Sequence, residues 1–130
     1  MNFPLTNLTN NSMAKHNETG KLGEALAKIW AEEHGYFVRE QNWRYGKWEI
    51  DMIASKGDKL HFFEVKTRRS NRYGYPEELV NRNKLYHFIG AGAAYIRRHR
   101  GFRWVRYDIL SITLDQHDKP SFFLIEDVYF

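Results

Sequence analysis

Apolar and polar positions follow two rhythms along this chain. Over residues 17–34 the apolar residues Leu22, Leu26, Ile29 and Trp30 recur at helical spacing, which predicts a helix with that stripe turned inward. Asn17 suits its N-cap and Gly35 its C-terminal stop. A second face carries only small residues, Gly20, Gly23, Ala27 and Ala31, with Glu24 at its border. Such a face lets another backbone or a ligand come close. The rhythm then shortens to period two. Residues 36–43 read as one strand, and 49–54 and 60–66 as two more around Ser55-Lys56-Gly57-Asp58-Lys59.

Residues 68–75 form a charged, Gly-containing loop without periodicity, and Pro76-Glu77-Glu78 predicts a short helical turn. A longer helix follows to about Arg100, with Leu85, Phe88, Ile89, Ala93 and Ile96 inward and Gly101 closing it. Residues 102–110 and 121–129 complete the pattern as two strands around a turn-rich loop at 115–120. The order α-β-β-β-α-β-β predicts an α/β fold, a mixed sheet flanked by helices. Residues 1–16, rich in Asn and Thr, predict a flexible N-terminal tail, which leaves 17–130 as a single domain.

The central hairpin carries the candidate chemistry. Gly-Asp favours a two-residue loop, with Gly supplying the positive φ of a type II′ turn. Lys56 then pairs with Lys59, Asp51 lies across from Glu64, and Glu49 lies across from Lys66. In that register all four side chains leave one face, with opposed Cβ atoms roughly 4.5–5.5 Å apart. Charged residues alternating along a hairpin are commonly the solvated face of a sheet. Two features argue otherwise here. Leu60 and Phe62 share the face of Glu64, and Ile50, Met52 and Ala54 cover the opposite face of the partner strand. Buried carboxylates need a partner or a metal, and an all-oxygen set suits Mg²⁺ or Mn²⁺.

Composition narrows the alternatives. The 130 residues suit one core, and 42% hydrophobic residues are enough to fill it. With no cysteine, disulfide, thiol-nucleophile and zinc-thiolate chemistry are excluded. The six histidines show no metal-ligand spacing. No apolar run approaches the ~20 residues of a membrane span, and residues 1–11 lack a signal-peptide pattern, so a cytoplasmic protein without membrane contact is expected. The net charge of +4 is mild, but its placement is informative. Arg68, Arg69 and Arg72 leave the hairpin together, where they would hold a phosphate backbone that the carboxylates alone repel. Arg97, Arg98 and Arg100 serve equally well as compensation for a helix C-terminus.

Gly23-Glu24, Gly35-Tyr36, Asn42-Trp43-Arg44, Glu49-Ile50-Asp51, Glu64-Val65-Lys66-Thr67-Arg68 and Tyr73-Gly74 resemble the pattern of the YraN-type bacterial proteins. That family is endonuclease-like, similar to archaeal Holliday-junction resolvases and to the wider PD-(D/E)-x-K nuclease superfamily. The resemblance spans about residues 17–125 and departs at Trp48, where the family commonly has Gly. It implies a restriction-endonuclease-like fold and a metal-dependent endonuclease hydrolysing phosphodiester bonds in DNA, branched or junction DNA included. Asp51 and Glu64 with the Val65 carbonyl would hold Mg²⁺ or Mn²⁺, and Lys66 would position water or stabilise developing charge. Glu24 joins them as a third acidic residue, and Lys84 matches a basic position that would touch phosphate. Similar resolvases act as symmetric homodimers, so a homodimer is a further expectation. Exposed aromatics such as Trp43, Tyr45, Trp48, Tyr73 and Tyr75 leave a second reading open: a nucleic-acid-binding or protein-interaction module on a nuclease fold without turnover.

Overall fold

A computed structural model describes residues 5–69 and 82–128, with side chains described from 17 and, in the second segment, from 85. Two helices and five strands follow in the order α1 (Leu5–Glu33), β1 (Phe37–Tyr45), β2 (Trp48–Lys56), β3 (Lys59–Arg68), α2 (Arg82–Arg98), β4 (Trp104–Leu114) and β5 (Pro120–Ile125). This is the expected α-β-β-β-α-β-β layout. The five strands form one mixed sheet in the spatial order β1-β2-β3-β4-β5. All neighbours are antiparallel except β3 and β4, which run parallel and are joined through α2. No helix among the described residues is long and apolar enough to cross a membrane. The expected turn at 76–78, and Tyr73 and Tyr75, lie outside the described residues.

The hairpin forms as its turn chemistry dictates. Gly57 has φ of 62°, and the ladder runs Lys56↔Lys59, Ser55↔Leu60, Ala54↔His61, Ile53↔Phe62 and Met52↔Phe63. Each helix covers one face of the sheet. Ala27, Trp30 and Ala31 of α1 pack with Met52, Ala54, Phe63, Leu110, Ile112 and Leu114. Leu85, Phe88, Ala91 and Tyr95 of α2 pack with Ile50, Ile53, Leu60 and Phe62. Short side chains let α2 lie close: a Cβ on Gly90 would come within 2.9 Å of the Trp48 ring, and one on Gly92 within 3.0 Å of Phe62 and Tyr107.

Three expectations are corrected. Helix α1 begins at Leu5 rather than Asn17, so most of the expected tail through residue 16 is helical backbone. No Gly or Pro interrupts the chain between Leu5 and Thr19, so nothing in the sequence stops the helix there. The buried stripe of α1 is Thr19, Gly23, Ala27, Trp30 and Ala31, while Ile29 is 52% exposed. Gly23, Ala27 and Ala31 of the small-residue face are buried against the sheet beside Trp30, with Leu22 and Leu26 packed at the margin, because small side chains allow the backbones to approach. In α2, likewise, Ala91 and Tyr95 rather than Ile89 and Ala93 join the buried cluster.

The end of α1 is tied to the hairpin. Gly35 adopts φ of 84°; its N–H donates to Glu32 and the Tyr36 N–H donates to Ala31, a Schellman closure. The Lys56 ammonium donates to the His34 carbonyl at 2.8 Å. Tyr36, thus placed, sits edge-on to the rings of His61 and Phe63. Burial first, then the negative charges of Asp108 and Glu126, hold its phenol above the ordinary value of 10.0. Burial does the same to Tyr107. The folded state therefore favours both neutral phenols. Their contribution to stability is complete below pH 10.0 and is lost as pH rises through the higher folded values. Denaturant midpoints taken across that range should fall for the wild type and fall less for Tyr36→Phe; superimposable profiles would refute the assignment.

Candidate active site

The β2–β3 ladder stops one pair short of the carboxylates. Beyond Met52↔Phe63 the strands are no longer paired in register, and the Asp51 carboxylate accepts the Val65 N–H at 2.8 Å. The hydrogen-bonded positions of this hairpin fall at every second pair from Lys56–Lys59, so a continued ladder would send the Val65 N–H to the Ile50 carbonyl. A side chain has replaced a strand partner. The N–H and C=O of one strand residue point to the same side, so the Val65 carbonyl also faces Asp51 outside the β2–β3 ladder.

The break coincides with an irregularity in β1. Asn42 falls between the Gln41↔Met52 and Trp43↔Ile50 pairs, at the level of Asp51, and adopts φ of 53°. Asn is among the few residues that enter this left-handed region readily. The pleat changes face at this point. Met52 packs against α1, whereas Ile50, two residues earlier, packs against α2. The expectation that Ile50, Met52 and Ala54 share one face is therefore wrong, because the irregularity at Asn42 and Asp51 resets the alternation. Sequence reading noted Asn42 only as part of a motif. The detectable signal was a residue of low strand propensity inside a predicted strand edge.

Asp51 stands between two clefts. On one side it meets Glu24, Val65, Lys66 and Thr67. On the other it meets Glu64 with Trp48, Glu49 and His87. Lys66 links the two sides, its ammonium 3.0 Å from the Glu64 carboxylate, and both side chains are largely enclosed at 26% and 13% exposure. The four residues expected to act together, Glu24, Asp51, Glu64 and Lys66, thus gather around one break in the sheet. Glu49 does not join them. It pairs with Arg44 across β1–β2 at 3.5 Å instead of facing Lys66, an exposed ion pair of little energetic weight.

Glu24 is placed by backbone contacts. The Gln41 amide donates to the Glu24 carbonyl at 3.0 Å, fixing α1 to β1. One residue earlier, a Cβ on Gly23 would fall 1.9 Å from the Thr67 hydroxyl oxygen and 2.8 Å from the Thr67 Cβ. Only glycine permits that approach. Gln41, Asn42 and Thr67 are the supporting residues that sequence reading did not single out for these roles.

The basic residues divide. Arg69 donates to the Thr19 hydroxyl at 3.0 Å and forms a short ion pair with Asp118, so its guanidinium ties β3 to α1 and to the β4–β5 turn. Arg68 extends the strand past Lys66, and its Nε and Nη1 are enclosed with no hydrogen-bond partner among the described residues. Arg72 lies outside the described residues, as does the side chain of Lys84, whose backbone is in the first turn of α2.

The oxygen donors are of the kind that a hard divalent cation takes. Asp51 and Glu64 supply carboxylate oxygens, and the broken ladder turns the Val65 carbonyl towards Asp51. Among the described residues, no three His, Cys, Asp or Glu side chains come together as a metal-holding group, so a backbone oxygen would be needed to complete the set.

A profile of the uncharacterised protein family UPF0102 matches residues 23–112, a span that includes all four gathered residues. The chain is 42% identical over 100 residues to a UPF0102 protein of Bacteroides thetaiotaomicron, covering 77% of this chain and 83% of that one. It is 42% identical over 118 residues to a UPF0102 protein of Flavobacterium johnsoniae, covering 88% and 93%. A UPF0102 protein of Syntrophus aciditrophicus is 39% identical over 103 residues, covering 78% and 81%.

Gly23→Ala tests the close approach that places Glu24. The added methyl should cost about 1–3 kcal/mol of stability by overpacking. Thr67→Ala in the same chain should recover part of that loss, since it removes the hydroxyl and the methyl but leaves the Thr67 Cβ. Urea unfolding of the single and double variants measures both terms; a Gly23→Ala protein as stable as wild type would contradict the contact.

Proposed function

The chain belongs to the UPF0102 family, the YraN-type proteins, and we propose that it is a metal-dependent endonuclease that hydrolyses phosphodiester bonds in DNA. The observation that carries this reading is the break in the hairpin: the Asp51 carboxylate takes the place of a strand partner on Val65, beside the Glu64–Lys66 pair. A structural surface charge needs no such rearrangement of the backbone.

In this reading Asp51, Glu64 and the Val65 carbonyl hold Mg²⁺ or Mn²⁺. Such an ion, when bound, polarises a phosphoryl oxygen and lowers the pKa of a coordinated water. Asp51 does two things at once, keeping β2 and β3 apart with the oxygen bonded to Val65 and presenting negative charge to the cleft. Lys66 orients against Glu64 in the resting protein and offers a cation to the charge that develops on the phosphate. Glu24, across the cleft from Val65 and Lys66, is positioned to orient a water or support a second ion. Arg68 follows Lys66 by two residues on β3 and is the basic residue assigned to a phosphate of the bound strand, a contact that requires its guanidinium, whose Nε and Nη1 are enclosed, to turn outward. Arg69 braces the fold and is not assigned that role.

A second reading, a nucleic-acid-binding or protein-interaction module without turnover, is favoured by one observation. Three metal-ligating side chains are not found together among the described residues. The two readings separate experimentally. In a panel of junction, flap, single-stranded and duplex DNA with Mg²⁺ or Mn²⁺, the nuclease reading expects cleavage of at least one form. Lys66→Ala should lower that rate by roughly 10²–10³-fold while retaining metal-dependent thermal stabilisation. Asp51→Asn should abolish both, yet fold, because the Asn carbonyl can still accept the Val65 N–H. A wild-type protein that cleaves nothing in the panel, with a metal response unchanged in Asp51→Asn, leaves the binding module.

A further inference from the structure

The cleft on the Glu64 side of Asp51 has a composition that catalysis does not explain, and its interpretation rests on the nuclease reading for the position of the scissile phosphate. Its lining includes Trp48, His87 and Phe88 together with Glu49, Asp51 and Glu64. The cavity measures about 200 Å³. The Trp48 and His87 rings stack with centroids 6.4 Å apart and planes 24° from parallel. Trp48 is no loose surface side chain, since its ring rests on the bare Gly90 backbone of α2. The row of half-buried rings continues through Tyr45, 6.3 Å from Trp48, to Trp43, 6.2 Å from Tyr45 and packed against the α2 cluster, with the Arg98 guanidinium over Tyr45 at 5.3 Å.

Charge determines what part of a nucleic acid can enter. Three carboxylates line the cleft, Glu64 paired with Lys66 and Glu49 with Arg44, against one lysine in the lining, Lys47, and this balance disfavours a phosphate there. A flat, neutral, polarisable ring suits the cleft. In an intact duplex each base is stacked and paired, so its face is closed to protein side chains. An unpaired base offers both faces. We propose that this cleft receives an unpaired nucleobase next to the scissile phosphodiester, and that the substrate class is therefore DNA with unpaired nucleotides at the cleavage point: single strands, flaps and unpaired junction positions, not continuous duplex. Trp48 and His87 are then specificity-determining residues, with Tyr45 and Trp43 as a platform for the neighbouring bases.

Binding measured without metal tests this apart from turnover. Fluorescence polarisation in EDTA would compare fluorescein-labelled oligonucleotides of one length as single strand, flap, blunt duplex and a strand with abasic positions. The wild type should bind single strand and flap about tenfold or more tighter than duplex, and the abasic strand should fall to the duplex level. Trp48→Phe should keep most of the preference. His87→Ala, at an exposed position, should reduce it severalfold without altering the melting temperature, and Trp48→Ala should remove it with duplex affinity unchanged. Equal affinity for duplex and single strand, equal affinity for the abasic strand, or no binding at all would overturn the proposal. Failure of the nuclease reading looks different: no cleavage of any substrate, with the single-strand preference and its dependence on Trp48 intact.

Discussion

The hydrogen bond from the Val65 N–H to the Asp51 carboxylate organises this protein. It ends the β2–β3 ladder at Met52↔Phe63, and everything proposed for the site depends on that ending. With the ladder continued, the Val65 backbone would be consumed by its strand partner. With it broken, β2 turns its pleat over, so that Ile50 and Trp48 pack with α2 while Met52 stays with α1. One side-chain-to-backbone contact thus separates the strands and opens both clefts. It also leaves Asp51 on the wall between them.

The two helices are brought to that break by what they lack. Gly23 lets α1 rest against Thr67, and Gly90 lets α2 rest against Trp48. Each contact brings a cleft-lining side chain with it: Glu24 follows Gly23, and His87 lies one helical turn before Gly90. The clefts differ in chemistry as a result. The α1 side presents Glu24 with Lys66 and threonine hydroxyls, while the α2 side presents aromatic rings. Under the nuclease reading proposed above, a strand of DNA passing over Asp51 would meet polar groups on one hand and aromatic rings on the other.

Much of this was legible in the chain. The Gly57-Asp58 turn set the register, and the Glu49-Ile50-Asp51, Glu64-Val65-Lys66 and Gly23-Glu24 motifs contain the four residues that gather at the break. What could not be read was the irregular backbone. Period-two alternation assumes an unbroken pleat, so the turnover at Asn42 and Asp51 put Ile50 on the wrong face and Glu49 opposite the wrong partner. Helical periodicity favoured Ile29 because it is large and apolar, yet the sheet accepted Ala27 and Ala31, since close approach of backbones rewards small volume. The start of α1 was missed because Asn and Thr argue weakly against helix while Leu5 onward contains no residue that forbids it. The role of Arg69 was missed because its partners, Thr19 and Asp118, are about fifty residues away on either side.

The single parallel pairing in the sheet bears on how the chain is assembled. Strands β1, β2 and β3 form a meander closed by two short turns, so the carboxylates of Asp51 and Glu64 can meet through local chain alone. Strand β4 reaches β3 only after residues 69–103 have been made and α2 has crossed over, a far costlier loop closure. During synthesis the meander emerges first, and until β4 arrives β3 is an edge strand. Its segment Leu60 to Phe63 is buried on both faces in the finished fold. An unpaired edge of that composition is a template for pairing with another chain. The strand that carries Glu64 and Lys66 is thus also where a nascent molecule is most exposed to misassembly, and the speed with which α2 delivers β4 sets how long that exposure lasts.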